Sequence, residues 1–553
     1  MQPDSVSEET TPVLIVGGGL AGLSSALFLA WHGVSVMLVE KHPASSPHPR
    51  AIGFTTRTLE LFRAVGIGAR IPEIPRGFGR PRRVAVESLA GKWAAEADWS
   101  PSRPKGAPGD PPRPRAGYSP CTGAALAQDR LEPILREEAV ARGADIRMST
   151  RLSSLEQDEQ GVTARLCDPD GRTYVVRATY VIAADGHSSP IREALGVERS
   201  GHGVMQIVRS VLFRASLDEY LEKGISQFEL DQPDLKGMLT TYRDGRWLLL
   251  FSDDQERDEA TLRAKVYQAL GRSDLPIELL TTGRWVLSAL IASRFSDGRV
   301  FLAGDAAHTL PPARGGYGAN TGIEDAFNLA WKLAAVLSGK SSSRLLDTYD
   351  AERRPIAWLR HQQIFARQDY AKWATPEEKA AGIIEDDAME LGQLYRSTSV
   401  VGAGDDLPPA QRPELWRGQP GTRAPHHWLS VDGVQRSTLD LLQHHWTLVS
   451  QDERWCAIAS SVEEACGVRV EPLLIGCVTP TAATVLSPPC ESAVDEETFQ
   501  TELRDAFGID RDGATLVRPD GYVAWRAPKM PEDPVAALGS ALRQTAAIVE
   551  RDA

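Results

Sequence analysis

A glycine-rich turn between two apolar stretches constrains the fold of this chain more than any other feature. Gly17, Gly19 and Gly22 form a G-x-G-x-x-G motif that follows the apolar residues 13–16 and opens a run of small and apolar residues. Glycines at this spacing permit a tight turn and let the backbone approach a pyrophosphate, which lies at the positive N-terminus of the next helix. The motif therefore predicts a βαβ unit in a parallel, Rossmann-like sheet that binds a dinucleotide.

An acidic residue after the next apolar stretch narrows the choice of nucleotide. Residues 34–40 predict a second strand that ends at Glu40, where a carboxylate of this fold accepts hydrogen bonds from a ribose. Because a carboxylate repels a 2′-phosphate, the site suits FAD or NAD rather than NADP. The residues expected to contact the nucleotide here are Gly17, Gly19, Leu20, Ala21, Gly22, Glu40 and Lys41.

Charge and hydropathy argue against two classes of partner. The chain has 553 residues and a formal net charge of −13, and an acidic chain of this kind lacks the basic surface of a nucleic-acid-binding protein. Residues 1–11 lack the basic and apolar regions of a signal peptide. Residues 14–39 are uncharged over a length that could cross a bilayer, but their glycines fit a strand–turn–helix–strand unit. We expect neither a nucleic-acid partner nor a membrane.

The cysteines carry no signature of a metal or redox site. They form no C-x-x-C pair, and no histidine cluster accompanies them, whereas zinc and dithiol sites usually show such spacing. The sequence therefore predicts no metal site, and reduced thiols in a cytoplasmic protein. The cysteines are Cys121, Cys167, Cys456, Cys466, Cys477 and Cys490.

The pattern of strands and helices predicts an α/β fold with interleaved domains. Apolar strands at 175–185 and 299–305, with helices at 58–65, 128–142 and 321–337, extend the parallel sheet. Short alternating stretches at 207–213 and 247–251 predict an antiparallel sheet instead. We assign 12–80, 121–200 and 291–375 to a dinucleotide-binding domain, and 81–120 and 201–290 to a substrate-binding sheet domain.

Two further segments complete the organisation. The proline-rich residues 99–120 predict a long surface loop, which is either a lid or an insertion without a role. Residues 408–421 are rich in proline and glycine and resemble a linker. After them, strands at 446–450 and 468–475, a hairpin that turns at Asp520–Gly521 and a helix at 534–550 predict a separate C-terminal domain over 408–553.

Three separated motifs identify the family that the chain resembles. Residues 298–334 read GRVFLAGDAAHTLPPARGGYGANTGIEDAFNLAWKLA, and Asp185–Gly186 ends an earlier apolar strand. With the glycine motif, these stretches resemble the flavoprotein aromatic hydroxylases of the p-hydroxybenzoate hydroxylase type, also called class A. The resemblance implies that Asp305 binds the FAD ribityl chain and that Arg50 lies near the pyrophosphate. It also implies FAD contacts for Gln128, and for a DG motif made of Asp185, Gly186, Ser189, Pro190 and Arg192.

Within this family the chain is most similar to the actinomycete polyketide hydroxylases that act on angucyclines and anthracyclines. That likeness implies a thioredoxin-like C-terminal domain that lacks the C-x-x-C cysteines. One departure is Ala313-Arg314 before Gly315-Gly316, where the family usually has a small residue and a glycine. An arginine beside the flavin could alter the preference for substrate charge.

The resemblance also implies a mechanism. Reduced flavin carries negative charge, and a helix that begins near Gly318, Ala319 and Asn320 would direct its unpaired N–H groups toward it. Pro312 and Arg314 would lie beside the ring, whose C4a atom is the reactive centre, so no catalytic side chain is assigned. His308 is expected to be a buried structural histidine rather than a general base. Candidate substrate contacts in the sheet domain are Met205, Gln206, Tyr242 and Trp247.

The sequence thus predicts an FAD-dependent monooxygenase that uses NADPH or NADH and O₂ to hydroxylate an aromatic or polyketide-type molecule through a flavin C4a-hydroperoxide. One alternative keeps FAD but inserts oxygen next to a ketone, as Baeyer–Villiger enzymes do, or inactivates a drug by hydroxylation. The other alternative is a non-catalytic binding protein on a flavoprotein-like scaffold. The joint presence of Glu40, Arg50, Asp185 and Asp305 argues against the latter, because a scaffold alone needs the glycines but not these charges.

Overall fold

The computed structural model describes residues 8–75, 82–94, 117–222, 224–312, 316–431, 433–476, 484–488 and 495–549. The predicted proline-rich loop, apart from residues 117–120, lies outside these ranges, as do Arg314, Cys477 and Cys490. Among the described residues, no helix combines the length and the apolar character that crossing a membrane requires.

The first part of the chain builds the predicted parallel sheet. Its glycine motif lies between β1 and α1, and β1 pairs in parallel with β2 and with β7, so that Val13 lies between Val36 and Tyr180. β1 begins before the predicted residue 13 because its polar start also pairs with β7. In chain order the elements are β1 (Glu8–Val16), α1 (Leu20–Trp31), β2 (Val36–Val39), α2 (Thr56–Ala64), β3 (Arg82–Val86), α3 (Gln128–Ala141), β4 (Asp145–Arg147), β5 (Arg151–Gln157), β6 (Val162–Cys167), β7 (Thr173–Ala183) and α4 (Pro190–Ala194).

The second part forms the predicted sheet domain. Its elements are β8 (Arg199–Arg214), β9 (Ile225–Gln232), β10 (Leu235–Thr241), β11 (Arg246–Phe251), α5 (Glu259–Leu270) and β12 (Glu278–Ala292). The strands from β8 to β12 pair antiparallel, and β3 joins the edge by pairing in parallel with β9. One face of this sheet packs on α5 through an apolar core. The other face turns toward Ile52 and Ala127 of the first part.

The chain then returns to the parallel sheet. The elements are β13 (Ser296–Asp297), β14 (Val300–Leu302), β15 (His308–Thr309), α6 (Tyr317–Leu337), α7 (Arg344–Phe365), α8 (Pro376–Ala380) and α9 (Asp386–Leu391). β14 pairs in parallel with β7, which gives the order β13-β14-β7-β1-β2-β4. The short strand β15 pairs with β12, so the loop after β14 joins the two sheets. α6 begins at Tyr317 rather than at the predicted residue 321.

The C-terminal domain has its own sheet, in the order β20-β19-β18-β21-β22. β18, β19 and β20 are parallel, whereas β21 and β22 run antiparallel and form the predicted hairpin around Asp520–Gly521. The elements are α10 (Pro413–Trp416), β16 (Trp428–Val431), β17 (Val434–Ser437), β18 (Trp446–Ser450), α11 (Arg454–Cys466), β19 (Val470–Ile475), β20 (Thr484–Leu486), α12 (Glu496–Phe507), β21 (Ala514–Val517), β22 (Val523–Ala527) and α13 (Pro534–Thr545).

This domain packs directly on the helices of the parallel sheet. Trp331 of α6 meets Trp446 of β18 edge to face, with 5.9 Å between the ring centroids. Leu345 of α7 belongs to the same apolar cluster. The C-terminal half of α6 therefore contacts the C-terminal domain, while its N-terminus lies at the site described next.

Candidate active site

The predicted motifs converge at one edge of the parallel sheet. Backbone hydrogen bonds place the ends of the strands side by side: the Gly17 N–H donates to Val39 at 2.9 Å, and the Ala184 N–H donates to Val16 at 2.8 Å. The Ala303 N–H donates to Ala183 at 3.0 Å. The loops after β1, β2, β7 and β14 therefore border one crevice at the carboxyl ends of the strands, where open α/β sheets bind ligands.

The glycine turn is shaped by close backbone approach. Gly17 has φ of +111°, and a Cβ there would lie 2.2 Å from the carbonyl oxygen of Ala184. A Cβ at Gly22 would lie 1.9 Å from the Gly17 carbonyl oxygen. At Gly19, in contrast, no heavy atom lies within 4 Å of such a Cβ. Gly19 precedes α1 and contributes no side-chain cap, so the first N–H groups of this helix have no partner within it.

Glu40 is held in place by two backbone groups. Its Oε2 accepts a hydrogen bond from the Gly18 N–H at 2.6 Å, and its Oε1 accepts one from the His42 N–H at 2.8 Å. A carboxylate offers about four acceptor positions, so both oxygens can accept a further hydrogen bond. The neighbouring Lys41 is exposed.

Asp305 lies in the loop that follows β14, in a 3-10 turn over Gly304–Ala306. Its Oδ2 is 3.5 Å from Nη1 of Arg50, and the side chains of Asp305 and Arg50 are 32% and 56% exposed. An exposed ion pair of this length contributes little to folding. Both groups therefore keep most of their hydrogen-bonding capacity for a ligand in the crevice.

A buried aspartate of α6 fixes the position of the Asp305 loop. Oδ2 of Asp325 accepts from the Gly304 N–H at 3.2 Å and lies 2.7 Å from Nε2 of His308. Its Oδ1 accepts from Nε of Arg353 at 2.8 Å. Burial favours the protonated acid, but His308 and Arg353 outweigh it and lower the pKa of Asp325. The full burial of His308 and its bond to Asp325 agree with the expected structural role of that histidine.

The loop after β7 is tied to the Asp305 loop by Arg192. This guanidinium, 2% exposed, donates to the carbonyl oxygens of His187, Ser188 and Ala306. Oδ2 of Asp185 accepts from the Ile191 N–H at 3.2 Å, and burial raises the pKa of the Asp185 carboxyl. Because Arg192 donates these hydrogen bonds to carbonyl groups of the protein, it contributes to a ligand site by holding the two loops together.

The N-terminus of α6 opens on the same crevice without a side-chain cap. The N-cap Gly316 has φ of +60°, and Gly318 and Ala319 are partly exposed in the first turn. The Asn320 side chain is fully used: its Oδ1 accepts from the Thr55 N–H and the Thr58 hydroxyl, and its Nδ2 donates to the carbonyls of Gly53 and Gly316. Only the backbone of Asn320 is left for a ligand.

The sheet domain holds the Arg50 loop. The Tyr242 hydroxyl donates to the Pro49 carbonyl at 2.7 Å, and the Ser210 hydroxyl lies 2.9 Å from Nε2 of His48. The edge of the His48 ring meets Trp285, with 5.4 Å between centroids. From the other side, Oε1 of Gln128 accepts from the Ala51 N–H at 3.4 Å.

The sequence analysis did not identify His48, Ser210 or Asp325 as residues that support the site, because none of them belongs to a motif with a recognisable spacing.

The other predicted substrate contacts are spread over the sheet domain. Trp247 is 1% exposed and lies in the core against α5, because its partner Phe213 shares that face and strand alternation turns both away from the crevice. Trp247 therefore belongs to the core rather than to the candidate site. Met205 packs beside Tyr317 and Phe365, and the Gln206 amide donates to Ser252.

Pro312 is exposed near the start of α6. Its carbonyl accepts a hydrogen bond from the Tyr370 hydroxyl. Pro312, which the sequence analysis placed beside the flavin, is thus hydrogen-bonded to the segment that follows α7.

Comparison with known proteins assigns this arrangement to a family. The family described as FAD binding domain matches residues 10–363, and the one described as aromatic-ring hydroxylase, C-terminal, matches residues 417–547. The chain belongs to the FAD-dependent aromatic-ring hydroxylases. A tetracenomycin A2 monooxygenase-dioxygenase of Streptomyces glaucescens is 39% identical, over 98% of this chain and 97% of that protein. A 4-methyl-5-nitrocatechol 5-monooxygenase of Burkholderia sp. is 37% identical, over 96% and 97%.

A solved structure agrees over the whole length. An aklavinone-11 hydroxylase in a ternary complex with FAD and aklavinone has a TM-score of 0.81 and 36% identity, and the match covers 99% of this chain and 100% of that one. This chain is an FAD-dependent aromatic-ring monooxygenase, and enzymes of its family take their electrons from NAD(P)H. Among the alternatives, the non-catalytic scaffold is therefore wrong.

The crevice of this hydroxylase fits FAD on its own geometry. The Gly17–Gly22 turn leaves the space above Gly19 open, whereas a Cβ at Gly17, Gly18 or Gly22 would lie within 3 Å of other atoms of the protein. That open space adjoins the N-terminus of α1, which favours a pyrophosphate. Asp305 and Arg50 add partly exposed polar groups farther along the same edge.

Proposed function

We propose that this hydroxylase adds one oxygen atom to a planar, polycyclic aromatic polyketide. The reaction would consume the substrate C–H, O₂, NAD(P)H and a proton, and would release the hydroxylated product, NAD(P)⁺ and water. The observation that carries the proposal is the full-length match to a hydroxylase whose structure holds both FAD and aklavinone. The tetracenomycin relative supports the same substrate class.

Bound FAD would supply the redox chemistry, since it accepts a hydride from NAD(P)H and delivers electrons to O₂. The protein would bind and orient it through the glycine turn, Glu40 and Lys41 at the adenosine side. Arg50, Asp305 and Gln128 would hold the middle of the cofactor, and NAD(P)H would approach near Arg50 and Asp185–Gly186. The N–H groups of Gly318, Ala319 and Asn320 would offer the positive end of α6 to negative charge on the ring, worth about 1–2 kcal/mol.

The face of the sheet domain that carries Tyr242 would bind the substrate. Leu212, Leu248 and Leu250 line it, with Trp285 at one end. An apolar, aromatic surface of this kind suits a flat polycyclic ring system and excludes water from it. Met205 and Gln206, on β8, and Pro312 would border the same space.

We also infer that the C-terminal domain is thioredoxin-like and lacks a redox role. The parallel pair β18–β19, the antiparallel β21 and β22 and the order β19-β18-β21-β22 support that assignment. Cys456 and Cys466 both lie on α11 and are separated by more than a C-x-x-C spacing. Serine variants of both should retain flavin reduction and turnover.

The experiment is a substrate screen with the purified yellow protein. NADPH and NADH oxidation would be followed with naphthacene-type polyketides and with nitrocatechols, the smaller class suggested by the second relative. We expect at least about tenfold stimulation by a polycyclic substrate, equivalent to about 1.4 kcal/mol, and a product heavier by one oxygen atom. Stimulation by nitrocatechols alone would contradict the proposed substrate class.

Product structure separates hydroxylation from Baeyer–Villiger insertion. Both reactions add one oxygen, so mass alone does not distinguish them, and NMR of the product is required. A new aromatic hydroxyl supports the proposal, whereas an expanded, ester-containing ring contradicts it.

A further inference from the structure

Away from the crevice, three side chains from three elements meet in a small cluster. His202 lies on β8, His361 on α7 and Glu378 on α8. Nε2 of His202 is 2.9 Å and 3.0 Å from the two Glu378 oxygens, and Nδ1 of His361 is 3.5 Å from Oε1 of Glu378. The cluster thus joins β8 of the sheet domain to α7 and α8, although 176 positions separate His202 from Glu378 in sequence.

His361 directs one of its two ring nitrogens, Nδ1, toward Glu378. Its side chain is 4% exposed, and the 3.5 Å between Nδ1 and Oε1 of Glu378 is longer than the usual N–H···O hydrogen bond of about 2.9–3.0 Å. A neutral imidazole has one nitrogen that can accept a hydrogen bond or bind a metal ion, and Nδ1 is the one that faces the cluster.

The donor set and its spacing match a divalent metal ion. One ligand atom from each residue lies within 4.8 Å of the others. Zinc bonds of about 2.0–2.2 Å in a tetrahedral site require ligand atoms on the order of 3.3 Å apart. The two distances to Glu378, 2.9 Å from His202 and 3.5 Å from His361, lie on either side of that value, and binding an ion requires the two imidazoles to adjust within the 4.8 Å that encloses the set. Two imidazoles and one carboxylate suit zinc better than magnesium or calcium, which prefer oxygen ligands.

The geometry points to a zinc site formed by His202, His361 and Glu378, with water as the fourth ligand. No motif in the sequence indicates this site, because its ligands lie on three separate elements. Phe365, whose ring centroid is 3.9 Å from that of His202 and 4.8 Å from that of His361, would shield one side. The bound ion would hold β8 against α7 and α8, and so fix the sheet domain relative to the crevice.

Zinc content and thermal unfolding of the full-length, FAD-loaded protein test the site. The protein would be stripped with a chelator, dialysed with zinc and freed of excess metal, and its zinc would be measured by mass spectrometry. Variants H202Q, H361Q and E378Q each remove one ligand. E378Q keeps the helix cap of Thr375, because glutamine serves at this position of a capping box, so loss of zinc there is not a folding defect.

A matched control uses a second histidine pair, which lies outside the cluster. Nδ1 of His444 and Nε2 of His445 are 3.2 Å apart at the surface, and H445Q removes that pair while the cluster stays intact. We expect about one zinc per chain in the parent and in H445Q, and less than about a tenth in the three ligand variants. Zinc should raise the unfolding temperature of the parent by a few degrees and leave that of E378Q unchanged.

Two results would overturn the proposal. If the parent retains no zinc, the three residues form only a hydrogen-bonded cluster. If E378Q or H361Q retains as much zinc as the parent, or if H445Q loses it, the ion binds elsewhere.

Discussion

Two groups of charged residues lie at opposite ends of α6 and differ in almost every physical respect. At the crevice, Arg50 and Asp305 are 3.5 Å apart and remain 56% and 32% exposed. Toward the C-terminal domain, Lys332 and Arg518 both bind Glu352, and all three side chains are fully buried. The first group leaves most of its hydrogen-bonding capacity unused by the protein, whereas the second group uses its capacity inside the protein.

The comparison shows that charge alone does not mark a functional site in this fold. A cofactor site needs charged groups that are positioned but incompletely paired. An interface needs each buried charge to be matched, because an unmatched one is strongly destabilising. Asp325 combines both properties, since it is buried and paired with Arg353 and also holds the backbone of the Asp305 loop.

The largest effect should come from the buried group. Glu352→Gln removes the negative charge between Lys332 and Arg518, which leaves Lys332 without its counter-ion and Arg518 with Asp520 alone, so the free energy of unfolding should fall by about 3–5 kcal/mol. Denaturant unfolding measures it. The control, Glu259→Gln, breaks a surface pair with Arg263 and should change stability by less than about 1 kcal/mol. Adding Lys332→Met to Glu352→Gln should recover part of the loss, and no recovery would contradict the charge argument.

A second buried group predicts how stability depends on pH. Burial opposes ionisation of Glu60, but Arg423 and Arg57 lower its pKa to about 2. Since this is below the unfolded value of about 4.3, the group stabilises the fold above that pH and loses its contribution as pH falls toward 2. The stability difference between the parent and Glu60→Gln should therefore shrink by about 3 kcal/mol from pH 5 to pH 2. A difference that stays constant with pH would show that the ion pairs do not stabilise the fold.

The crevice could be predicted from sequence because its determinants are local. The glycine spacing, Glu40 and the Asp185 and Asp305 motifs each follow a strand within a few residues, and parallel strands bring their carboxyl ends together. Local patterns also located α1, α3, β18 and the C-terminal hairpin. The start of α6 was predicted too late, because Tyr317 and Gly318 resemble a glycine-rich loop in sequence.

The buried charges could not be predicted, because their partners are distant in the chain. Arg518 and Glu352 are 166 positions apart, and the charged residues of α7 suggest a solvated helix when read alone. The same limit applies to Asn320, whose amide is used by Thr55, 265 positions away. For Trp247, the alternation of side chains along a strand predicts that the strand has two faces, but it does not show which face packs against the core.

A smaller effect is expected at the crevice. Asp305→Ala removes a charged acceptor, and if it binds FAD the affinity should fall about ten- to a hundredfold, from the roughly 1.5–3 kcal/mol of a charge-assisted hydrogen bond. FAD fluorescence on titration of the apoprotein measures this. Asp158→Ala is a matched control, because Asp158 also pairs with an arginine, Arg177, but in the turn between β5 and β6. Equal FAD affinity in the two variants would remove Asp305 from the cofactor site.

The smallest effect, and the finest test of the comparison, concerns the tether of the Arg50 loop. Tyr242→Phe removes the hydroxyl that donates to the Pro49 carbonyl, a neutral hydrogen bond worth about 0.5–1.5 kcal/mol. Because the loop carries Arg50 into the crevice, part of this loss should appear as FAD affinity weakened up to about tenfold. Tyr267→Phe removes a similar bond, from a hydroxyl to the Leu275 carbonyl at 3.2 Å, in the same domain but on α5. It should lower the free energy of unfolding by a similar amount and leave FAD binding unchanged. If both variants lose stability alike and neither affects FAD, Tyr242 only stabilises the sheet domain, and the position of Arg50 is set by the His48–Ser210 contact and by Gln128.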